Sequence, residues 1–165
     1  MGKMLFVDIG KCVGCGVCEL VCSSKHNDQL DSNKSRIHNT IFMEEATAIS
    51  IVCVHCEDPF CGKICPAGAI TVEKDEDTGA TLVTVSETKC VGCKMCMLAC
   101  PYGCIFVSDK GYAEKCDLCG GAPECVKYCP TAAITFIEPE ISMIAKKKAV
   151  AARILNLIKS GDNIA

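Results

Sequence analysis

The chain has 165 residues, half of them apolar, yet it holds no Trp, only 5% aromatic residues and 17 cysteines. That length suits one compact domain or two small ones, but with so many thiols in the apolar count the organic core is thin, and a bound group whose binding is coupled to folding must supplement it. The formal charge of −3 is uneven: residues 140–165 hold five basic and two acidic groups, a net +3, against 12 basic and 18 acidic elsewhere, a net −6; an acidic body with a basic tail lacking interleaved aromatics argues against nucleic acid as a partner.

Met1-Gly-Lys-Met-Leu-Phe-Val-Asp8 shows no long apolar h-region and no twin arginine, and no apolar run approaches the roughly 18 residues of a membrane span. The expectation is a cytoplasmic protein with no integral membrane segment, in which disulfides are disfavoured and closely spaced thiols serve metal ligation.

Leu5–Asp8 reads as a short strand. Lys11-Cys12-Val-Gly-Cys15-Gly-Val-Cys18-Glu-Leu-Val-Cys22 follows, with residues 19–25 expected as a short helix. A polar excursion, Ser23 to Asn39, holds His26, Arg36 and His38; strands are expected near 36–42 and 48–54, about a turn at Met43–Glu45. The second motif is Cys53-Val-His-Cys56-Glu-Asp-Pro-Phe-Cys61-Gly-Lys-Ile-Cys65-Pro66. Residues 67–72 and 80–85 flank an acidic, glycine-ended turn as a hairpin. The third motif is Cys90-Val-Gly-Cys93-Lys-Met-Cys96-Met-Leu-Ala-Cys100-Pro101. A second hairpin, 105–107 with 112–115, leads into Cys116-Asp-Leu-Cys119-Gly-Gly-Ala-Pro-Glu-Cys125-Val-Lys-Tyr-Cys129-Pro130, and 133–137 reads as a closing strand. From Pro139 the pattern changes to a cysteine-free segment whose Ile144, Ala151, Ile154, Leu155 and Ile158 fall on one helical face, predicting an amphipathic helix.

The third motif has the gaps of two, two and three, closed by proline, that hold a [4Fe–4S] cluster. Three cysteines within seven residues let one tight loop wrap three corners of a cubane; the fourth, expected on the first turn of the next segment, is carried away to a partner cluster. Motifs one and three share Lys-Cys-Val-Gly-Cys. Motifs two and four share a longer middle gap and the ending Cys-Pro-x-x-Ala-Ile-Thr. This internal repeat implies two pseudo-symmetric ferredoxin-like modules. Structural zinc, which favours two separated Cys-x-x-Cys knuckles, fits less well.

The order of the motifs over residues 4–138 resembles the four-cluster electron-transfer subunits of molybdenum and tungsten oxidoreductases, the dimethyl sulfoxide reductase type. Cys18-Glu-Leu-Val-Cys-Ser23, Ser35-Arg-Ile37 and His55-Cys-Glu-Asp-Pro59 make it most similar to small subunits of tungsten-pterin aldehyde oxidoreductases. The resemblance implies an α+β fold of two bacterial-ferredoxin-like modules, the second inserted in the first: residues 1–52 with 102–138 outside, 53–101 inside, and a C-terminal helical extension over 139–165. It further implies four clusters, on Cys12, Cys15, Cys18 and Cys129; on Cys53, Cys56, Cys61 and Cys100; on Cys90, Cys93, Cys96 and Cys65; and on Cys116, Cys119, Cys125 and Cys22.

Cys104, left over where the repeat elsewhere has Ala69 or Ala133, is expected as a buried small hydrophobe. His55 is expected against a cluster sulfur or at a partner surface, and His26 and His38 in solvent. Lys11, Lys89 and Lys115 each precede a motif and offer charge compensation, weak if exposed. No nucleophile–base pair, phosphate loop or substrate motif is visible, so the chain reads as a conduit for electrons rather than a catalyst. The expected partners are a larger catalytic subunit, a flavin-containing or ferredoxin electron partner, and a higher assembly through 140–160. The alternatives are service to a benzoyl-CoA reductase, a formate dehydrogenase or hydrogenase, or a carbon monoxide dehydrogenase, or a freely diffusing polyferredoxin.

Overall fold

The structure, a computed structural model, describes residues 2–140, Lys147 and Ala151. Apart from Pro139, Glu140 and those two residues, the helix expected over 139–165 lies outside the described residues.

Among the described residues the strands pair only in twos, as four separate ribbons. β1 (Met4–Val7) pairs antiparallel with β8 (Ile134–Ile137), Met4 facing Ile137 across the sheet. β2 (His38–Phe42) pairs with β3 (Thr47–Ile51), β4 (Ile70–Lys74) with β5 (Thr81–Val85), and β6 (Ile105–Val107) with β7 (Ala113–Lys115). The β4–β5 turn shows how local chemistry sets a register. The Asp75 carboxylate accepts from the Thr78 amide at 2.8 Å and its hydroxyl at 2.6 Å, and these bonds hold the Asp75 carboxyl below its ordinary range. Closed this way, the turn places Ile70 opposite Val85 and Val72 opposite Val83.

The helices are α1 (Val17–Asn27), α2 (Phe60–Lys63), α3 (Met95–Ala99) and α4 (Glu124–Lys127). The third cysteine of every motif, Cys18, Cys61, Cys96 or Cys125, is the second residue of one of them. Motifs one and three enter through a left-handed residue, Gly16 at φ 71° and Lys94 at φ 64°. Motifs two and four enter through an extended proline, Pro59 and Pro123, whose fixed φ suits the start of a helix. α1 outruns the expected 19–25 because buried Ser23 accepts from the Asp31 amide at 3.0 Å and donates to the Gln29 carbonyl at 2.7 Å, folding the following loop back on the helix.

The fourth cysteines depart from expectation. None falls on a helix's first turn: Cys22 is one turn past Cys18 within α1, Cys100 caps α3, and Cys65 and Cys129 lie just beyond α2 and α4. About one helical turn separates third from fourth, and in motifs two, three and four the two thiols flank opposite ends of a short helix.

Apolar packing forms two clusters. Leu5, Ile37, Ala80, Leu118 and Ile134 gather with Cys18, Cys22 and Cys125. Val83, Ile105 and Ala113 gather with Cys61 and Cys96. The β6–β7 hairpin, grouped by sequence with the outer segments, thus packs into the second cluster and forms a seam between the two. The first cluster reaches across as well, through Ala80 and the Lys3 amide on the Thr78 carbonyl at 3.2 Å.

Candidate metal centres

The residue before the second cysteine is left-handed in all four motifs: Gly14 at φ 68°, His55 at φ 47°, Gly92 at φ 68° and Leu118 at φ 55°. The kink sets the direction of the first two thiols of each motif, and the helix start presents the third. Where the position is glycine the loop is bare; where it is His55 or Leu118, a side chain is buried beneath it, 6% and 1% exposed.

Three cavities result, each walled by four motif thiols. Cys53, Cys56, Cys61 and Cys100 line one, with Cys104 and Lys115. Cys65, Cys90, Cys93 and Cys96 line another. Cys22, Cys116, Cys119 and Cys125 line a third, with His26 and Arg36. In each, three thiols come from one motif and one from another. Of the remaining four cysteines, Cys12 and Cys18 both lie against the Ser50 hydroxyl, at 3.7 and 4.0 Å. Cys129 packs on the cluster that contains Cys18. Cys15 and Cys93 are exposed and the other motif thiols are not.

Backbone amides point at the sulfurs. Arg36 N–H donates to Cys22 Sγ at 3.4 Å, Ala69 to Cys65 at 3.3 Å, Ala113 to Cys90 at 3.3 Å, Cys104 to Cys100 at 3.4 Å and Leu118 to Cys116 at 3.5 Å. Burial pushes the Cys18 thiol up to about 11 and Cys125 to about 12, and raises Cys56, Cys61, Cys96, Cys116 and Cys119. At Cys129 burial is outweighed by the amides of Ile134, Thr131 and Ala133 and the Thr131 hydroxyl, which leave the thiol lowered. Burial that disfavours free thiolates, with donors aimed at the same sulfurs, suits a metal cluster that supplies the missing positive charge. An all-thiolate donor set in groups of four fits [4Fe–4S] chemistry.

Cys104 is buried, its thiol pushed to about 12 by burial and then by the neighbouring Cys53 and Cys100. A protonated thiol beside a complete quartet behaves as the expected small hydrophobe. His55 is buried in the wall of the cavity of Cys53, Cys56, Cys61 and Cys100. Its Nδ1 accepts the Val83 amide at 3.0 Å, which puts the ring proton on Nε2, and Nε2 is buried with no partner among the described residues. Burial, then Lys115, lowers its pKa to about 3. His38 is exposed as expected, edge-on to Phe106 with ring centroids 6.2 Å apart. His26 is not in solvent: Nε2 lies 3.8 Å from Cys119 Sγ and 3.4 Å from Asp117 Oδ1, and burial lowers its pKa against the pull of Asp117. Asp117 also takes Arg36 Nη1 at 2.8 Å, and Arg36 Nε lies 3.7 Å from buried Glu114. Lys11 is exposed, whereas Lys115 is buried. Sequence reasoning missed Ser50, the Arg36–Asp117–His26 set and the burial of Lys115. Aligning the four motifs would have put His55 and Leu118 on the glycine position.

Among the described residues no helix is long and apolar enough to cross a membrane. Residues 45–139 match the 4Fe-4S dicluster domain family. The chain is 35% identical over 153 residues to the putative electron transport protein YsaA of Escherichia coli K12, covering 85% of this chain and 92% of that one. It is 37% identical over 150 residues to the B subunit of anaerobic dimethyl sulfoxide reductase from the same strain, covering 79% of this chain and 71% of that subunit. It is 32% identical over 163 residues to the putative oxidoreductase AegA, also of that strain; the match takes in 90% of this chain and spans only 24% of AegA. With its thiols grouped in fours and more than half its length matched, the chain therefore belongs to the 4Fe-4S dicluster domain family.

Proposed function

We propose that the chain is a non-catalytic electron-transfer subunit holding four [4Fe–4S] clusters, on Cys12, Cys15, Cys18 and Cys129; Cys53, Cys56, Cys61 and Cys100; Cys65, Cys90, Cys93 and Cys96; and Cys22, Cys116, Cys119 and Cys125. The observation that carries the reading is the exchange of the fourth thiol between motifs in three walled cavities. A cubane in such a site takes up and releases single electrons. The protein's part is to fix the thiolates, aim amides at their sulfurs and leave Cys15 and Cys93 the most open to solvent, an exposure that suits entry and exit points. The sets nest as two modules, 1–52 with 102–138 around 53–101, sharing the β6–β7 seam; residues 139–165 are the extension.

The electrons run between a larger catalytic oxidoreductase subunit and a ferredoxin or flavin-containing partner, in the cytoplasm. The motif wording favours a tungsten-pterin aldehyde oxidoreductase. A molybdenum enzyme is the second reading, favoured by the 37% identity to the B subunit of dimethyl sulfoxide reductase. Iron and sulfide analysis of anaerobically prepared protein should give about sixteen irons; stoichiometric zinc with little iron would overturn the cluster reading. Metal analysis of the large protein that co-purifies at fixed ratio separates tungsten from molybdenum, and purification alone, with no partner, would return the chain to a free carrier.

A further inference from the structure

Lys115 is the last residue of β7 and is 3% exposed. Its Nζ donates to the carbonyl oxygens of Val83 and Cys116, the latter at 2.7 Å. An ammonium has three donors, so one is left over, and Lys115 forms no ion pair with a carboxylate among the described residues. Burying a charge in that state is heavily disfavoured unless an anion compensates it. A methionine or leucine would fill the same space without the penalty.

The anions are close by. Lys115 stands in the wall of the cavity made by Cys53, Cys56, Cys61 and Cys100. The next residue, whose carbonyl Nζ holds, is Cys116 of the quartet with Cys22, Cys119 and Cys125. We propose that Lys115 is the shared counter-ion of these two clusters, a fixed positive charge at the joint between them that raises the reduction potential of both. The proposal rests on the reading that the quartets hold [4Fe–4S] clusters.

One electron entering a site adds one negative charge and needs no proton. A buried cation therefore favours the reduced form, and its removal makes reduction harder at the two sites it borders and not at the other two.

The test is Lys115→Met in the full chain, prepared anaerobically and compared with wild type by iron analysis and by a redox titration followed by electron paramagnetic resonance, with a low-potential one-electron reductant supplying the electrons. At full iron content, two of the four one-electron transitions should move to lower potential by at least tenfold in the reduced-to-oxidised ratio, about 59 mV for one electron, while two stay. Four unmoved transitions, or four moved equally, overturn the proposal. If Lys115→Met loses iron, Lys115→Arg decides: recovered loading with transitions near wild type supports the counter-ion, and loss in both overturns it. Failure of the cluster reading itself would appear separately, as wild-type protein lacking its irons.

Discussion

Cys22 tests motif exchange at a single atom. It lies in the first motif, yet its thiol walls the cavity of Cys116, Cys119 and Cys125 and accepts the Arg36 amide at 3.4 Å. Cys22→Ser should therefore remove or alter the cluster of the fourth motif, a loss of up to about four irons, and leave the Cys12–Cys15–Cys18 site intact. Resonance damage confined to the latter would sink the exchange. His55 carries a different risk. It holds a left-handed backbone that a histidine adopts only at a cost, and in return its ring satisfies the buried Val83 amide. His55→Ala keeps the strain and orphans that amide, a penalty of about 1–3 kcal/mol before any cavity cost. Cluster bleaching on heating should begin at a lower temperature; an unchanged profile would reduce the ring to a space filler.

Among the elements, the loops that end in left-handed residues are the stiffest constraint. Gly92 and Gly120 both have φ near +70°, but a Cβ at Gly92 would collide with the Gly111 carbonyl oxygen, whereas one at Gly120 meets nothing within 4 Å. Gly120→Ala should pay only the left-handed strain, about 1–2 kcal/mol. Gly92→Ala should cost clearly more, since backbone must move, and iron loading at equal reconstitution time reads the difference. Equal loading would mean that the Gly92 loop shifts freely against the β6–β7 turn. The hairpins were legible in the sequence because turn chemistry and alternation are local: Asp75 and Thr78 announce the β4–β5 turn within four residues. The helix starts under Cys61, Cys96 and Cys125 were not, because helices of four or five residues have no periodicity to read. Nor were the burial of Lys115 and His55 legible, since it comes from β5, β7 and the second motif meeting across separations of 28 and 32 residues. The cysteine spacing exposed the candidate ligands, while the grouping of motifs rested on family resemblance. Second contacts such as Ser50 on Cys12 and His26 on Cys119 depend on tertiary packing that no motif encodes.

For the whole molecule, the open question is what the last 25 or so residues do. All sixteen motif cysteines precede Pro130, and the last strand, β8, ends at Ile137, paired along its length with β1. Among the described residues, the first strand thus pairs with the last before Pro139. Neither ligation nor sheet pairing requires residues 140–165, yet their sequence places Ile144, Ala151, Ile154, Leu155 and Ile158 on one helical stripe with a net charge of +3, against −6 in the rest of the chain. An amphipathic stripe must be covered. Packing on the chain's own acidic surface would do it, and so would a groove on a partner or a second copy, a familiar way for such helices to bind. A chain ending after Glu138 separates these. If the stripe docks a partner, the truncated protein should keep its full iron and its thermal bleaching profile but fail to co-purify with the catalytic subunit, or run at a smaller size. If the stripe belongs to the chain's own core, the truncated protein should bleach at lower temperature and still associate. The paired β1–β8 ribbon and the charge contrast favour the first outcome.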